Sequence, residues 1–173
     1  LEISSDFVRD PSRRGRPTVL LGLNPKAANI IGIKISIGVV VLALADFTGN
    51  ITARKTYAIN TYTMLPDEFG RVLVKNIRSF IAENNLEPAA ISRIGIAAQG
   101  VADSRLGVIA WSPAFKTRYV PIVAPIEAEL GIHCWLANDA NMIAEGLMAR
   151  DHYRYTGTAA VVYMGYGIGM GLV

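Results

Sequence analysis

Four short stretches of this sequence carry residue types that can do chemistry. Asn138-Asp139 follow the apolar run IHCWLA directly and open NDANMIAEGLMAR. A carboxylate at a helix start, just past a buried strand, faces a cleft at the strand's carboxyl end. Asn and Asp are also good helix caps, so the pair supports either role. Gly165-Tyr166-Gly167-Ile168-Gly169 is a glycine-rich turn between apolar runs. Glycines let backbone N–H groups approach anionic oxygens, and they equally build ordinary hairpins. Residues 32–38 read GIKISIG. Ile31, Ile33, Ile35 and Ile37 fall on one face of an extended strand; Gly32, Lys34, Ser36 and Gly38 fall on the other. Strand, tight glycine turn and second strand, with small residues on one face, is one way to bring backbone close to a phosphate. Lys34 sits in the middle of that face, where a metal-nucleotide site needs carboxylate oxygens that Lys cannot supply. Finally, RDPSRRGRP holds Arg9, Arg13, Arg14 and Arg16 among Pro11, Gly15 and Pro17. This composition predicts an exposed arm. Arg13, Arg14 and Arg16 suit contacts to DNA phosphates or a minor groove, and equally a solvated linker.

The remaining reactive residues invite plainer readings. Cys134 is the single cysteine, which excludes an internal disulfide and fits a reducing cytoplasm. It lies in an apolar stretch and is expected to be a buried, inert thiol. His133 at a strand start and His152 after a helix are expected to be ordinary rather than ligands. No metal site is expected within this chain.

These residues need a framework, and the composition allows one. The chain has 173 residues, 51% of them hydrophobic and 18% charged, which supports a packed core and argues against disorder. The net charge of +3 is too small to demand a nucleic-acid partner. The longest apolar run, Ile35 to Ala45, is about eleven residues, too short to span a bilayer. No signal-peptide pattern opens the chain. Leu1 as first residue suggests that residues precede it.

Period-2 patterning predicts strands over roughly 30–37, 38–46 and 50–58, with a hairpin turn at Phe47-Thr48-Gly49-Asn50. TVLLGLNP reads as a short strand ending in a turn at Asn24-Pro25. PDEFGRVLVKNIRSFIAENN reads as a helix, with Pro66 in its first turn and Asp67 and Glu68 at its positive end. Phe69, Val72, Leu73, Ile77, Phe80 and Ile81 form its apolar stripe. ISRIGIAAQG is a strand ending at Gly100. A long loop over 101–116 follows, with a hairpin near Leu106 to Ile109. A helix near 121–130 closes at Gly131, its start obscured by Pro125. IHCWLA is a strand, NDANMIAEGLMAR a helix, and TAAVVYMGYGIGMGLV a hairpin ending at Val173. Strands alternating with helices after initial hairpins imply an α/β fold: a mixed five-stranded sheet with helices, followed by a hairpin that looks like the first one repeated.

In that order, IIGIKISIGVVVLALADFTGN, IGIAAQGVADSRLGVIAWSPAF, LANDANMIAEG and YMGYGIGMGLV resemble the first phosphate motif, the sugar-site loop, the Asn-Asp motif and the second phosphate loop of the ROK group. This is the family of repressors, open reading frames and sugar kinases with an actin-like ATPase, ribonuclease H-like fold. The resemblance covers nearly the whole chain. RRGRPTVLLGLNPKAANIIGI resembles the join between a winged-helix DNA-binding domain and the sugar-binding domain in the family's repressor branch. The implied organisation is residues 1–29 as arm or linker, 30–157 as the first lobe, and 158–173 as the start of a second.

The resemblance implies that Asp139 matches the general base of the kinases and that Asn138 and Gly100 contact sugar. It implies that Gly165, Gly167 and Gly169 belong to a phosphate loop. The family kinases carry an acidic residue where Lys34 stands, and two glycines and Thr at Ser36, Ile37 and Gly38. Tyr166 stands where a hydroxyl residue is more frequent and would crowd a phosphate. Ala114 replaces a frequent Asn and loses one sugar hydrogen bond. The family's cysteine-rich zinc motif lies beyond Val173. The expectation is therefore a sugar-binding effector domain of a cytoplasmic transcriptional regulator without kinase activity, Asp139 being a vestigial base. It would bind a sugar or sugar phosphate between lobes, reach operator DNA through a preceding domain, and act as a homodimer or larger assembly, without a membrane. The alternative is an ATP-dependent sugar kinase. One geometric expectation is specific: the Lys34 ammonium should lie within ion-pair or one-water reach of Asp139 across a shared cleft.

Overall fold

The structure, a computed structural model, describes residues 2–3, 21–150 and 157–173. Arg13, Arg14, Arg16 and His152 lie outside the described residues. Two short strands, β1 (Glu2–Ile3) and β2 (Leu21–Gly22), pair antiparallel. Asn24 then caps a 3-10 turn over Pro25–Ala27 by accepting from the Lys26 amide at 2.8 Å, which realises the turn expected at Asn24-Pro25.

The central sheet contains β3 (Asn29–Ser36), β4 (Val39–Asp46), β5 (Ile51–Ala58), β6 (Ile91–Ala98) and, after three smaller strands and one helix, β10 (Cys134–Asn138). Its order is β10-β6-β3-β4-β5, with β3, β6 and β10 parallel and the β3–β4 and β4–β5 pairs antiparallel. The expected mixed five-stranded sheet is present, and the first three strands fall within a residue of their expected bounds. The β4–β5 turn is held by the Asp46 carboxylate. It accepts from the Thr48 hydroxyl at 2.6 Å, the Thr48 amide at 2.8 Å and the Asn50 amide at 3.0 Å. The Thr48 hydroxyl, foremost, holds the Asp46 carboxyl below the usual carboxylate range despite its exposure.

One face of the sheet is the core. Ile31, Ile33, Ile35, Leu42, Ile94, Ile96 and Leu136 are buried in one cluster with Phe69, Leu73, Ile77, Phe80 and Ile81 of α1 (Pro66–Glu83) and Ile126 of α2 (Val123–Leu130). The α1 stripe forms as expected, except that Val74 and Gly70 are buried and Val72 only half so. The shift has a packing cause: α1 rests against α2, and a Cβ on Gly70 would already press on Pro125 at 3.1 Å. Pro125 does not break α2, because it occupies the first turn, where amide hydrogens have no intrahelical partner. The helix starts at Val123 rather than near 121, and Gly131 ends it in the left-handed region (φ 67°).

The 101–116 loop is more regular than its sequence suggests. It forms β7 (Val101–Asp103) and β8 (Val108–Trp111), to which β9 (Val120–Pro121) adds a third strand. The opposite face of the central sheet carries small residues and receives α3 (Asp139–Arg150), whose Met142 approaches Gly95. A final antiparallel hairpin, β11 (Ala160–Met164) and β12 (Ile168–Leu172), docks on α3. Among the described residues no helix is long and apolar enough to cross a membrane.

Candidate functional site

The parallel strands β3, β6 and β10 end at the same edge of the sheet, at Ser36, Ala98 and Asn138. That shared carboxyl edge gathers the candidate residues. Asn138 is engaged through both its amide nitrogen and its amide oxygen. Its Nδ2 donates to the Gly100 carbonyl at 2.6 Å, and its Oδ1 accepts from the Ala140 and Asn141 amides at 2.9 and 3.3 Å. It therefore caps α3 and ties that helix to the loop after β6. Capping and cleft-edge placement turn out to be compatible rather than alternatives.

Asp139 is only 7% exposed, and its Oδ1 also accepts from the Ala140 amide, at 3.0 Å. Gly100 sits at φ 107°, and a Cβ there would strike the Trp111 carbonyl and lie 2.8 Å from Ser112 Cα. Gly100 and Asn138 are thus brought together, with Asp139 the next residue along the chain. Ser112 and Ala114 face inward: the Ser112 hydroxyl accepts from the Ala114 amide at 3.1 Å, and both residues are buried. Ala114 offers the cleft no hydrogen bond.

Lys34 departs from expectation. No ion pair joins it to Asp139 among the described residues. Its ammonium instead donates to the Tyr163 hydroxyl at 3.0 Å. The reason is register. Lys34 lies beside Ala97, and Ala97 beside Ala137, so Lys34 is two strands away from β10. Two strand spacings are about 10 Å, too far for direct pairing by a side chain that has a nearer partner. That partner arrives from β11, which the hairpin lays across α3.

The glycine turn is likewise rearranged. The Gly165 amide donates to the Gly167 carbonyl at 2.9 Å, and a Cβ on Gly165 would lie 3.0 Å from the Tyr163 hydroxyl. Tyr166 does not crowd this space, since it is 85% exposed; Tyr163 fills it. Gly169 and Gly171 serve packing. A Cβ on Gly169 would meet Ala140 Cβ at 3.1 Å, and one on Gly171 would strike the Ala140 carbonyl and lie 2.8 Å from Ala144 Cβ. Tyr163 and Gly171 were missed in the sequence; the alternation that puts Tyr163 on the inner face of β11 was the available signal.

The resemblance implies a magnesium-nucleotide group beside these loops, and the residues do not fit it. Lys34 provides a cation where the metal needs an oxygen, and Tyr163 lies against the glycine turn. The β3–β4 turn keeps its glycine geometry, with Gly38 at φ 69° and its carbonyl accepting from the Ile59 amide at 3.0 Å. Among the described residues no cluster of three His, Cys, Asp or Glu could hold a metal ion. A groove of about 660 Å³ lies between α1 and α2, bordered by Arg71, Lys75 and Glu129, and it contains none of the candidate residues.

Cys134 is half-buried rather than buried, because it packs at the margin of the core. Burial, with the Glu127 carboxylate as a lesser cause, pushes its thiol up to about 12. Its Sγ donates to the Ile132 carbonyl at 3.3 Å. In native protein at pH 8 its alkylation by a maleimide should be at least about a hundredfold slower than that of free cysteine, because the thiolate is the nucleophile. Reaction at the free-cysteine rate would place the thiol in water. His133 is exposed, with Nδ1 3.4 Å from Glu127 Oε1.

Comparison with known proteins gives a coherent result. The xylose repressor of Caldicellulosiruptor bescii is 25% identical over 161 residues, covering 92% of this chain and 39% of the repressor. The crystal structure of a ROK family transcriptional regulator, a homologue of the E. coli MLC protein, superposes with a TM-score of 0.76 at 20% identity. It covers 91% of this chain and 39% of that one. A ROK family glucokinase from Streptomyces griseus, solved with glucose and AMPPNP, gives 0.67 at 20% identity, over 84% of this chain and 44% of that one. These likenesses establish the actin-like ATPase fold. The chain spans about two fifths of the length of the curated relatives it matches. The ROK family model matches residues 30–173 without a break, from the first strand of the central sheet through the final hairpin, and the chain belongs to the ROK family.

Proposed function

We propose that this chain is the sugar-binding effector part of a ROK-family transcriptional regulator that has lost kinase chemistry. The observation that carries the reading is Lys34. A cation stands at the position the resemblance gives to a metal-serving acid, and it is hydrogen-bonded to Tyr163. Phosphoryl transfer depends on placing charge around the phosphates, so a lost metal ligand is severe. The repressor name of a relative that aligns with nearly the whole chain favours the same reading. In this proposal a sugar hydroxyl meets Asp139 at the carboxyl edge, and Gly100 offers backbone. Binding shifts lobe closure and so the geometry of attached DNA-binding domains in a homodimer or larger assembly. Operator DNA would be met through a winged-helix domain with the Arg13–Arg16 arm, in the cytoplasm.

The second reading, an ATP-dependent sugar kinase, is favoured by the fold likeness to the glucokinase. One assay separates the two. The full-length protein with Mg²⁺, ATP and a panel of pentoses, hexoses and amino sugars should release no sugar-dependent ADP. Turnover near roughly 1 per second or faster would establish the kinase. Calorimetry with the same sugars should show that Asp139→Ala weakens binding by about 1–3 kcal/mol, because a sugar hydroxyl loses its charged acceptor. Equal affinity would reduce Asp139 to a buried cap.

A further inference from the structure

We propose that Lys34 and Tyr163 form a metal-free anion subsite that takes the phosphoryl group of a phosphorylated monosaccharide. The inference rests on the sugar-binding reading and names the charged end of its ligand.

Lys34 is half-buried, and its partner is a neutral phenol; it enters no ion pair among the described residues. A half-buried ammonium without a counter-charge is costly, and an oxyanion removes that cost. The donors are available. An ammonium carries three N–H groups and Tyr163 accepts one of them. Because the phenol oxygen is the acceptor in that bond, its own proton remains free to donate to the same anion.

The surroundings leave room. On the same face of the sheet the neighbours of Lys34 are Gly32, Ala97 and Val41. A Cβ added at Gly32, Gly38 or Gly167 would meet nothing within 4 Å. The dimensions also agree. Lys34 lies two parallel strands from β10, whose end carries Asn138 and Asp139. Two strand spacings, about 10 Å, approximate the span of a monosaccharide phosphate with its far hydroxyls at Asp139 and its phosphoryl group at Lys34. The same separation that prevents a Lys34–Asp139 ion pair leaves the two charges at opposite ends of one ligand.

The test is calorimetry on the full-length protein in EDTA, with inorganic phosphate and with matched pairs: glucose and glucose 6-phosphate, xylose and xylose 5-phosphate. A phosphorylated sugar should bind at least about tenfold tighter than its neutral partner, as expected for a charge-assisted contact. Lys34→Met should abolish that preference and leave the neutral sugar unchanged. Lys34→Arg should retain most of it, and Tyr163→Phe should reduce it several-fold. Native near-ultraviolet circular dichroism of Lys34→Arg and Tyr163→Phe keeps the test open if Lys34→Met misfolds. Equal affinity within each pair, a preference that survives Lys34→Met, or one that requires added Mg²⁺ would each overturn the subsite. Lys34-dependent binding of inorganic phosphate by a protein that binds no sugar would keep the subsite and overturn the sugar reading instead. Neutral-sugar binding with no response to phosphate would do the reverse.

Discussion

Gly100→Ala should destabilise the protein by about 3 kcal/mol or more. Two costs combine. At φ 107° an L-residue is strained by about 1–3 kcal/mol. The added methyl would also strike the Trp111 carbonyl and Ser112 Cα, which are backbone and cannot swing away. Ser112 is held by its hydrogen bond to the Ala114 amide, and Phe115 just beyond is buried in the core. Any movement of Gly100 also strains the hydrogen bond from Asn138, the residue that caps α3. Urea unfolding of the two proteins is the direct measurement. A midpoint change equivalent to under about 1 kcal/mol would mean that the loop after β6 does not hold this geometry.

Phe69→Ala should cost about 3–5 kcal/mol, the usual range for emptying a large aromatic site in a core. Phe69 is fully buried and packs edge-on against Phe115, with ring centroids 4.9 Å apart at 76°. The pair joins α1 to the 112–115 loop, so the cavity would open between the core and the segment that braces Gly100. Thermal unfolding should show the melting temperature falling by about 10 °C for a chain of this size. A fall of only a degree or two would argue that α1 is not seated on the sheet as described.

The core and the site differed in how far the sequence revealed them. The alternation over Ile31, Ile33 and Ile35 placed β3 and its buried face, because a half-buried strand writes its burial pattern into consecutive residues; Ile37, expected on the same face, falls in the exposed turn after the strand. Phe47-Thr48-Gly49-Asn50 announced their turn for a similar reason: the hydrogen bonds that Asp46 adds to it run between residues four or fewer apart. Asn138-Asp139 and Gly100 were legible as a group through the motif order. Tyr163 was not, since its alternation marks only an inward face of β11 and says nothing of Lys34 as its partner.

By itself, then, the sequence determined the elements, the face each strand buries, and the presence of a cation where a metal-binding acid would stand. These depend on residue type and short-range spacing. Only the tertiary structure decided what that cation does. Lys34 and Tyr163 are 129 positions apart. Their meeting requires the parallel β10-β6-β3 register, which carries Asp139 two strands away. It also requires Gly169 and Gly171, whose missing side chains let the final hairpin settle onto Ala140 and Ala144 of α3. A side chain's partner is fixed by which surfaces pack together, and packing joins segments whose order along the chain carries no record of the distance between them.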